Sequence, residues 1–190
     1  MNGEVDWGWK LREAIERIRT RYDHIGCKTG APFLAIVYPP EAESAVLKEW
    51  GVLLGTLGPE YVVRRIDALS ISMEVVDNIG GENIVASIAD PMPGSNPESE
   101  LGQMWMAAIT AKIKDEATAS TDKKSVIVIE HLAALYPATG PRAIMQELWD
   151  SEQSKLDGPV IVLIPGTLTE PRVYSFLNQR EELMYRGDLL

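Results

Sequence analysis

Two continuous runs of aliphatic residues dominate the hydrophobic pattern of this chain. The first ends at Glu130 and His131, and the second begins at Gly158 and ends at Pro165 and Gly166. Apolar runs without polar alternation are typical of strands that helices cover on both faces, as in parallel sheets. Ligands and partners of such sheets meet the carboxyl ends of the strands. The pattern therefore indicates Glu130, His131, Pro165 and Gly166 as candidate functional positions.

Strand-like and helix-like segments alternate along the rest of the chain. Further strands are predicted over residues 33–38 and 61–66, and helices over residues 7–22, 41–57, 67–79, 100–117 and 141–152. These segments follow the apolar periods of strands and helices, and a strand followed by a helix and a second strand is the signature of a βαβ unit. The pattern predicts a single α/β domain over residues 1–190, built as a three-layer sandwich around a mainly parallel sheet.

Several segments have no clear period. Residues 80–99 are rich in turn formers and are predicted to be a long surface connection. Residues 115–124 are predicted to be a polar linker, and residues 165–171 a turn-rich loop. Residues 172–178 are predicted to form a short helix, and residues 182–190 an edge strand.

Composition narrows the class of protein. The chain has 190 residues, 45% of them hydrophobic, which is enough for a buried core. Its formal net charge of −10 argues against direct nucleic-acid binding, because phosphate contacts need a basic surface. With one cysteine and two histidines, it has no ligand pair spaced for a metal, and we expect no metal and no cofactor. We find no secretory leader pattern and no apolar stretch near the roughly 20 residues of a membrane span, so we expect a cytoplasmic protein.

The turn after the first predicted strand argues against nucleotide hydrolysis. A phosphate-binding loop would read G-x-x-x-x-G-K-[ST] here, and its amides and lysine would hold the phosphates. Residues 38–44 instead read Tyr-Pro-Pro-Glu-Ala-Glu-Ser. The two prolines remove amide donors and the two glutamates repel phosphate. The chain is therefore not expected to be a working ATPase or GTPase of that type.

Glu130 and His131 place a carboxylate and an imidazole at a predicted strand end. Such a pair could transfer protons. However, adjacent residues on an extended chain point to opposite sides, and no serine or cysteine nucleophile stands at a matching spacing. We favour a structural or partner-facing role for Glu130 and a loop role for His131. The alternative hypothesis is an enzyme, or a small-ligand or nucleotide sensor, that uses this edge.

A DNA-contacting module is a third and weaker hypothesis. The basic pairs Arg64–Arg65 and Lys123–Lys124, with Arg180 and Arg186, could form a local patch. Such a patch predicts binding that depends steeply on salt, and the net charge of the chain opposes it.

Blocks along most of the chain carry a family resemblance when they are taken in order. They are APFLAIVYPPEAE at residues 31–43, YVVRRIDALS at 61–70, IEHLAALYP at 129–137 and GPVIVLIPG at 158–166, followed by SFL at 175–177 and YR at 185–186. In this combination the chain resembles the BrxB family of bacterial phage-defence (BREX) loci. Glu130 and His131 depart from the residues expected at that turn in many members, which weakens a catalytic role for them.

The resemblance implies an accessory component that works beside a large ATPase, a DNA methyltransferase and an alkaline-phosphatase-like protein. It implies a three-layer α/β core like a degenerate P-loop nucleoside triphosphatase, and it carries over no catalytic residue. Our leading hypothesis is therefore a non-catalytic assembly subunit of an antiphage defence complex, with a homo-oligomer left open. The predicted partner-binding residues lie at the carboxyl edge of the sheet: Tyr38, Pro39, Glu130, His131, Tyr136, Pro137, Pro165 and Gly166.

Overall fold

Helices and strands alternate along the chain in the computed structural model, which describes residues 7–119, 121–151 and 156–190. The helices of this part of the chain are α1 (Trp7–Arg21), α2 (Glu43–Leu54), α3 (Ala68–Ile79), α4 (Gly81–Ala89), α5 (Pro97–Thr118) and α6 (Pro141–Asp150). The strands are β1 (Phe33–Tyr38), β2 (Tyr61–Asp67), β3 (Lys124–Glu130), β4 (Val160–Glu170), β5 (Val173–Phe176), β6 (Arg180–Leu183) and β7 (Asp188–Leu189). Short 3-10 turns lie at Tyr22–His24, Pro40–Ala42 and Leu132–Leu135.

The strands form a mostly parallel sheet in the order β2-β3-β4-β1-β7. β1 pairs with β4 so that Tyr38 lies beside Pro165, and β2 pairs with β3 so that Asp67 lies beside Glu130. The outer half of β4 pairs with β5 in antiparallel orientation, and β5 pairs with β6 in the same way. A mainly parallel sheet with helical crossovers confirms the predicted α/β class.

The first helical layer packs α1 and α2 on one face of the sheet. Leu11 and Ile18 of α1 and Trp50 of α2 are fully buried there with Leu34 and Ile36 of β1. Burying one such side chain contributes about 1.5–3 kcal/mol relative to leaving it in water. This layer follows directly from the helical spacing of the apolar residues in α1 and α2.

The second helical layer packs α5 and α6, together with the start of α3, on the opposite face. Ile109 of α5 and Ile144 and Leu148 of α6 are buried against Ile127 of β3 and Val162 of β4. Because both faces of β3 and β4 are covered, their sequences are continuously apolar. The three layers of the predicted sandwich are therefore present.

Residues 80–99, predicted to be a long surface connection, are exposed but contain regular structure. Gly80, with a φ of +89°, ends α3, and α4 begins at the next residue. Helix α4 has no buried residue. Helix α5 begins at Pro97, where the Asn96 side chain accepts a hydrogen bond from the Ser99 amide. We call residues 68–111, which hold α3, α4 and the first part of α5, the helical arm.

β4 runs through the segment that the sequence predicted to be a loop. It continues past Gly166 to Glu170, so the loop predicted over residues 165–171 is wrong. β5 occupies residues 173–176, so the short helix predicted over residues 172–178 is also wrong. A β-carbon on Gly166 would lie 2.3 Å from the carbonyl oxygen of Ser175, so this glycine marks a close approach of two strands and not a turn.

Two further boundaries differ from the prediction. Helix α5 ends at Thr118, one residue past the helix predicted over residues 100–117, so the polar linker predicted over residues 115–124 is shorter than expected. Residues 182–190, predicted to be one edge strand, instead contain the end of β6, a connection in which Gly187 has a φ of +88°, and the short strand β7. Strand β7 pairs with β1 at the edge of the sheet.

Candidate functional site

The carboxyl ends of neighbouring strands bring polar side chains to one edge of the sheet. Along β2, β3, β4 and β1 the residues at this edge are Asp67, Glu130, Pro165 and Tyr38. Parallel strands share one carboxyl edge, which is where this type of fold places most ligand sites. The sequence predicted Tyr38, Glu130 and Pro165 at this edge and did not single out Asp67.

Glu130 is held in an ion pair with Arg65 of the neighbouring strand. Glu130 is 2% exposed. Arg65 Nε donates to Glu130 Oε1, and Arg65 Nη2 donates to Oε2 at 2.7 Å. These hydrogen bonds raise the pKa of Arg65 above its usual value because they stabilise the guanidinium. A buried carboxylate without a partner costs several kcal/mol, so Arg65 is what allows β3 to end in a buried acid.

His131 contacts Asp67 and not its neighbour Glu130. It adopts a left-handed backbone with a φ of +58°, and its Nδ1 lies 2.8 Å from Asp67 Oδ1. Asp67 also caps α3, accepting from the Leu69 amide at 3.0 Å and from the Ser70 hydroxyl at 2.8 Å. Partial burial opposes the charge of Asp67, but the hydrogen bonds from Ser70 and His131 outweigh it and hold its pKa below the usual value. Glu130 and His131 thus pair with different residues of β2.

A buried lysine and a buried tyrosine lie at the same edge, on the side of α1 and α2. Lys10 of α1 is 5% exposed, and its Nζ donates to the Val37 carbonyl oxygen at 2.8 Å. Burial lowers the pKa of Lys10. The Tyr38 hydroxyl donates to Glu43 Oε1 at 3.3 Å, and burial, followed by the charges of Glu43 and Glu130, raises the pKa of Tyr38.

The turn in the place of a phosphate loop is closed by its own backbone. Residues Pro40–Ala42 form a 3-10 turn in which the Ala42 amide donates to the Pro39 carbonyl oxygen at 2.9 Å. The Glu43 amide donates to the Pro40 carbonyl oxygen, and the two prolines have no amide hydrogen. Phosphate cradles use free amides at this position. The geometry is that of an ordinary helix start, in agreement with the sequence of residues 38–44.

Tyr136 and Pro137 belong to a second polar cluster on the opposite side of the sheet. The peptide bond between them is cis. The Tyr136 ring packs on Phe176 of β5, with ring centroids 6.3 Å apart. Arg180 of β6 donates to the Pro137 carbonyl oxygen at 3.3 Å and pairs with the carboxylate of Glu182 at 2.9 Å. The loop after β3 is therefore tied to the β5–β6 hairpin.

Glu182 lies at the centre of this second cluster and is 6% exposed. It accepts from the Tyr174 hydroxyl at 2.7 Å and from the backbone amide of Arg142, in the first turn of α6, at 3.0 Å. Burial, followed by the charge of Glu182, raises the pKa of Tyr174. A β-carbon on Gly140 would lie 2.2 Å from Arg180 Nη2, so a larger residue there would displace the Arg180 guanidinium from this contact. The cluster joins α6 to the β5–β6 hairpin, because the Glu182 carboxylate binds Arg142 of α6, Tyr174 of β5 and Arg180 of β6.

The residues predicted to bind a partner do not form one exposed surface. The buried members are Tyr38, Glu130, Pro165 and Gly166. The half-buried members are Pro39 and His131. The exposed members are Tyr136 and Pro137, which lie in the second cluster. The sheet edge therefore offers little exposed surface to a partner. Strand β4 continues across this edge, and the charged groups of the edge are bound to one another.

The basic residues considered as DNA contacts are largely engaged within the chain. Arg64 Nη1 donates to Glu116 Oε2 at 2.8 Å, and Arg65 pairs with Glu130. Lys124 Nζ lies 5.2 Å from the centre of the Tyr22 ring. These contacts use the cationic groups that a DNA surface would need.

Sequence reasoning did not single out Lys10, Arg65 and Asp67 as residues of this edge. The position of each one in its helix or strand nevertheless indicates burial or helix capping. Lys10 precedes Ala14 by one helical turn and so lies on the buried stripe of α1. Arg65 falls on the same face of β2 as Val63, which packs on the α1 and α2 layer. Asp67 directly precedes a helical pattern, as an N-cap does.

The helical arm carries more than half of the large exposed apolar side chains among the described residues. Six of the eleven large exposed hydrophobic residues lie on it: Leu69, Met73, Val85, Ile88, Met92 and Met104. Helices α4 and α5 and the end of α3 also border an open groove of about 130 Å³. The apolar walls of this groove are Ile79, Ile84, Leu101 and Met104. We call it the α4–α5 groove.

Comparisons with protein-family models, with curated proteins and with solved structures each found no match. Within residues 7–119, 121–151 and 156–190, no group of three or more His, Cys, Asp or Glu side chains is arranged to hold a metal ion. In the same part of the chain, no helix combines the length and the apolar character that crossing a membrane requires. Function has to be inferred from the residues and their geometry.

Proposed function

We propose that this protein is a non-catalytic assembly subunit that acts through protein–protein contacts. The exposed apolar side chains of the helical arm carry the proposal. Single exposed apolar side chains are common on protein surfaces, but several on adjoining helices are typical of an interaction site, and one of them, Met104, also borders the α4–α5 groove. Helix α4 buries none of its residues within the chain, although Ile84, Val85 and Ile88 give it an apolar stripe.

The contacts at the carboxyl edge support a structural role for its charged groups. Both carboxylate oxygens of Glu130 accept from Arg65, and His131 is bound to the helix-capping Asp67. A general acid or base has to reach a substrate proton directly or through one water. Groups that hold strands and a helix together are less suited to that task than to stability.

The biological setting of the proposal comes from the resemblance to the BrxB family. It favours a cytoplasmic subunit of a bacterial BREX-type antiphage defence complex. The partners it favours are a large ATPase, an alkaline-phosphatase-like protein or a methyltransferase of the same system. On this proposal the protein needs no cofactor, and it contacts nucleic acid only through its partners.

Co-expression tests the proposal. The tagged protein is purified from cells that express its neighbouring genes, and the complex is measured by size-exclusion chromatography with light scattering and mass spectrometry. We expect a stoichiometric complex with one or more of the neighbouring proteins. An unrelated acidic protein with the same tag serves as the control. Recovery of the protein alone, with every neighbour present in soluble form, would overturn the proposal.

His131→Asn separates the proposal from the enzyme or sensor alternative. Asparagine tolerates the left-handed backbone of His131 but cannot act as an acid or a base near neutral pH. Our proposal expects phage resistance to be retained in this variant. The alternative expects resistance to be lost while the complex still assembles. Glu130→Gln is less informative, because it also removes the charge that Arg65 pairs with.

A further inference from the structure

We infer that the helical arm binds a basic amphipathic helix of a partner protein, seated along the α4–α5 groove. This inference rests on the proposed function, since it names the surface and the partner chemistry for the same assembly role. It places the contact in the α4–α5 groove and not on the sheet-edge residues that the sequence predicted.

The groove has the form of a helix-docking site. Ile84 of α4 and Leu101 and Met104 of α5 line an open space of about 130 Å³, enough for a large aliphatic side chain. Ile88 lies one helical turn after Ile84, so it extends the same apolar wall beyond the groove, and it is 53% exposed. An amphipathic helix binds such grooves with anchors spaced three, four and seven residues apart.

Helix α4 also needs an apolar contact of this kind to be well stabilised. It is nine residues long, and isolated helices shorter than about 12–15 residues are marginal in water. Helices of this length depend on packing, yet α4 buries no residue and leaves Val85 67% exposed. A partner helix laid along α4 and α5 would remove these side chains from water.

The charge of the arm selects the partner. Residues 68–111 contain no lysine, arginine or histidine, and the basic residues that follow them on α5 are Lys112, which pairs with Glu116, and Lys114. Residues 68–111 contain six acidic residues: Glu74, Asp77, Glu82, Asp90, Glu98 and Glu100. Glu100 lines the groove itself. An apolar groove with an acidic border is complementary to a helix with an apolar stripe and flanking lysines or arginines, and such complementarity favours encounter and orientation.

The same charge argues against other occupants. A second copy of this chain that paired arm to arm would bring an equally acidic surface against the first, and like charges in an interface cost several kcal/mol. Nucleic acids and anionic lipid surfaces are repelled for the same reason. A basic helix of another protein satisfies both the apolar and the charged features of the arm.

Two labelled model peptides of about 18 residues test the inference by fluorescence anisotropy. Both carry leucine at helical spacing, and the remaining positions are lysine in one peptide and glutamate in the other. We expect the leucine–lysine peptide to bind the full-length protein, with an affinity that falls as salt rises. The leucine–glutamate peptide is expected not to bind.

Substitutions locate the binding to the groove. The double variant Ile88→Gln with Met104→Gln removes two exposed apolar contacts without a change in charge, and we expect it to weaken binding at least about tenfold. Val52→Gln is the matched control, because Val52 is 67% exposed on α2, in the other helical layer. It is expected to bind the peptide like the wild type. Circular dichroism verifies that every variant is folded.

Specific results would overturn the inference. They are equal affinity of the double variant and the wild type, equal binding of the two peptides, or a homodimer that the double variant abolishes. Co-expression distinguishes this failure from failure of the proposed function. If the double variant still recovers the partner in stoichiometric amount, the groove is wrong and the assembly role stands. If the wild type recovers no partner, the assembly role itself fails.

Discussion

Arg65→Met tests whether the pair of Arg65 and Glu130 holds the carboxyl edge of the sheet together. Glu130 is 2% exposed and accepts two charge-assisted hydrogen bonds from Arg65. Removing one partner of a fully buried ion pair costs about 3–5 kcal/mol. The Arg65 side chain is 51% exposed, so water reaches the pair from one side. Solvent screening then lowers the expected loss to about 2 kcal/mol.

Urea unfolding followed by tryptophan fluorescence measures this loss. For a chain of this length, about 2 kcal/mol corresponds to a melting temperature lower by about 4–8 °C. The double variant Arg65→Met with Glu130→Met removes both charges and is expected to recover most of the stability. Arg65→Lys keeps the charge but not the two-pronged contact, so its loss should be intermediate. If Arg65→Met stays within about 0.5 kcal/mol of the wild type, the pair is not a structural tie.

Two other stability predictions follow from the same structure. Asp67→Asn should lower the urea midpoint near neutral pH and much less in acid. The low pKa of Asp67 adds stability above its unfolded value of about 3.9, and this is lost as pH falls through the folded value; an equal difference at both pH values would contradict it. Gly166→Ala should cost about 2 kcal/mol in thermal unfolding, through the clash with Ser175. Its control Gly51→Ala, with open space at the β-carbon in α2, should gain about 0.5–1 kcal/mol, and equal stability of the two would refute the clash.

The polar residues at the carboxyl edge of the sheet are bound to one another and to the start of α3. In parallel α/β folds this edge usually receives the ligand. Here Glu130 is tied to Arg65, Asp67 caps α3, and the turn after β1 bonds to itself. By contrast, helix α4 buries no residue and leaves Val85 and Ile88 of its apolar stripe exposed. From that contrast we propose the assembly role and its location on the helical arm.

Local patterns predicted most of the sandwich because burial leaves a periodic trace in the sequence. The continuous apolar runs of β3 and β4 and the apolar stripes of α1 and α5 marked elements that the structure contains. The prediction was wrong where proline and glycine lie inside a strand, as Pro165 and Gly166 do in β4. Gly166 looked like a turn former, but its missing side chain makes room for the backbone of Ser175.

The candidate site was predicted only in part, because its pairings join distant segments. Glu130 was placed at a strand end correctly, but its partner lies 65 residues earlier in the chain. The Arg65 that holds it was considered as a DNA contact, since a sequence shows a charge without showing what neutralises it. Residues 80–99 were predicted to lie on the surface, but the sequence did not show the groove that α4 forms with α5.

The sequence by itself determined the α/β class, the two helical layers and the absence of a phosphate-binding sequence after β1. Each of these depends on the local order of polar and apolar residues, because that order sets which side chains of a helix or strand avoid water. The tertiary structure decided the strand order, the bonding of Glu130 to Arg65 and of His131 to Asp67, and the exposure of the arm. These depend on which segments, distant in the sequence, pack together. That arrangement arises only when all the strands of the sheet have paired.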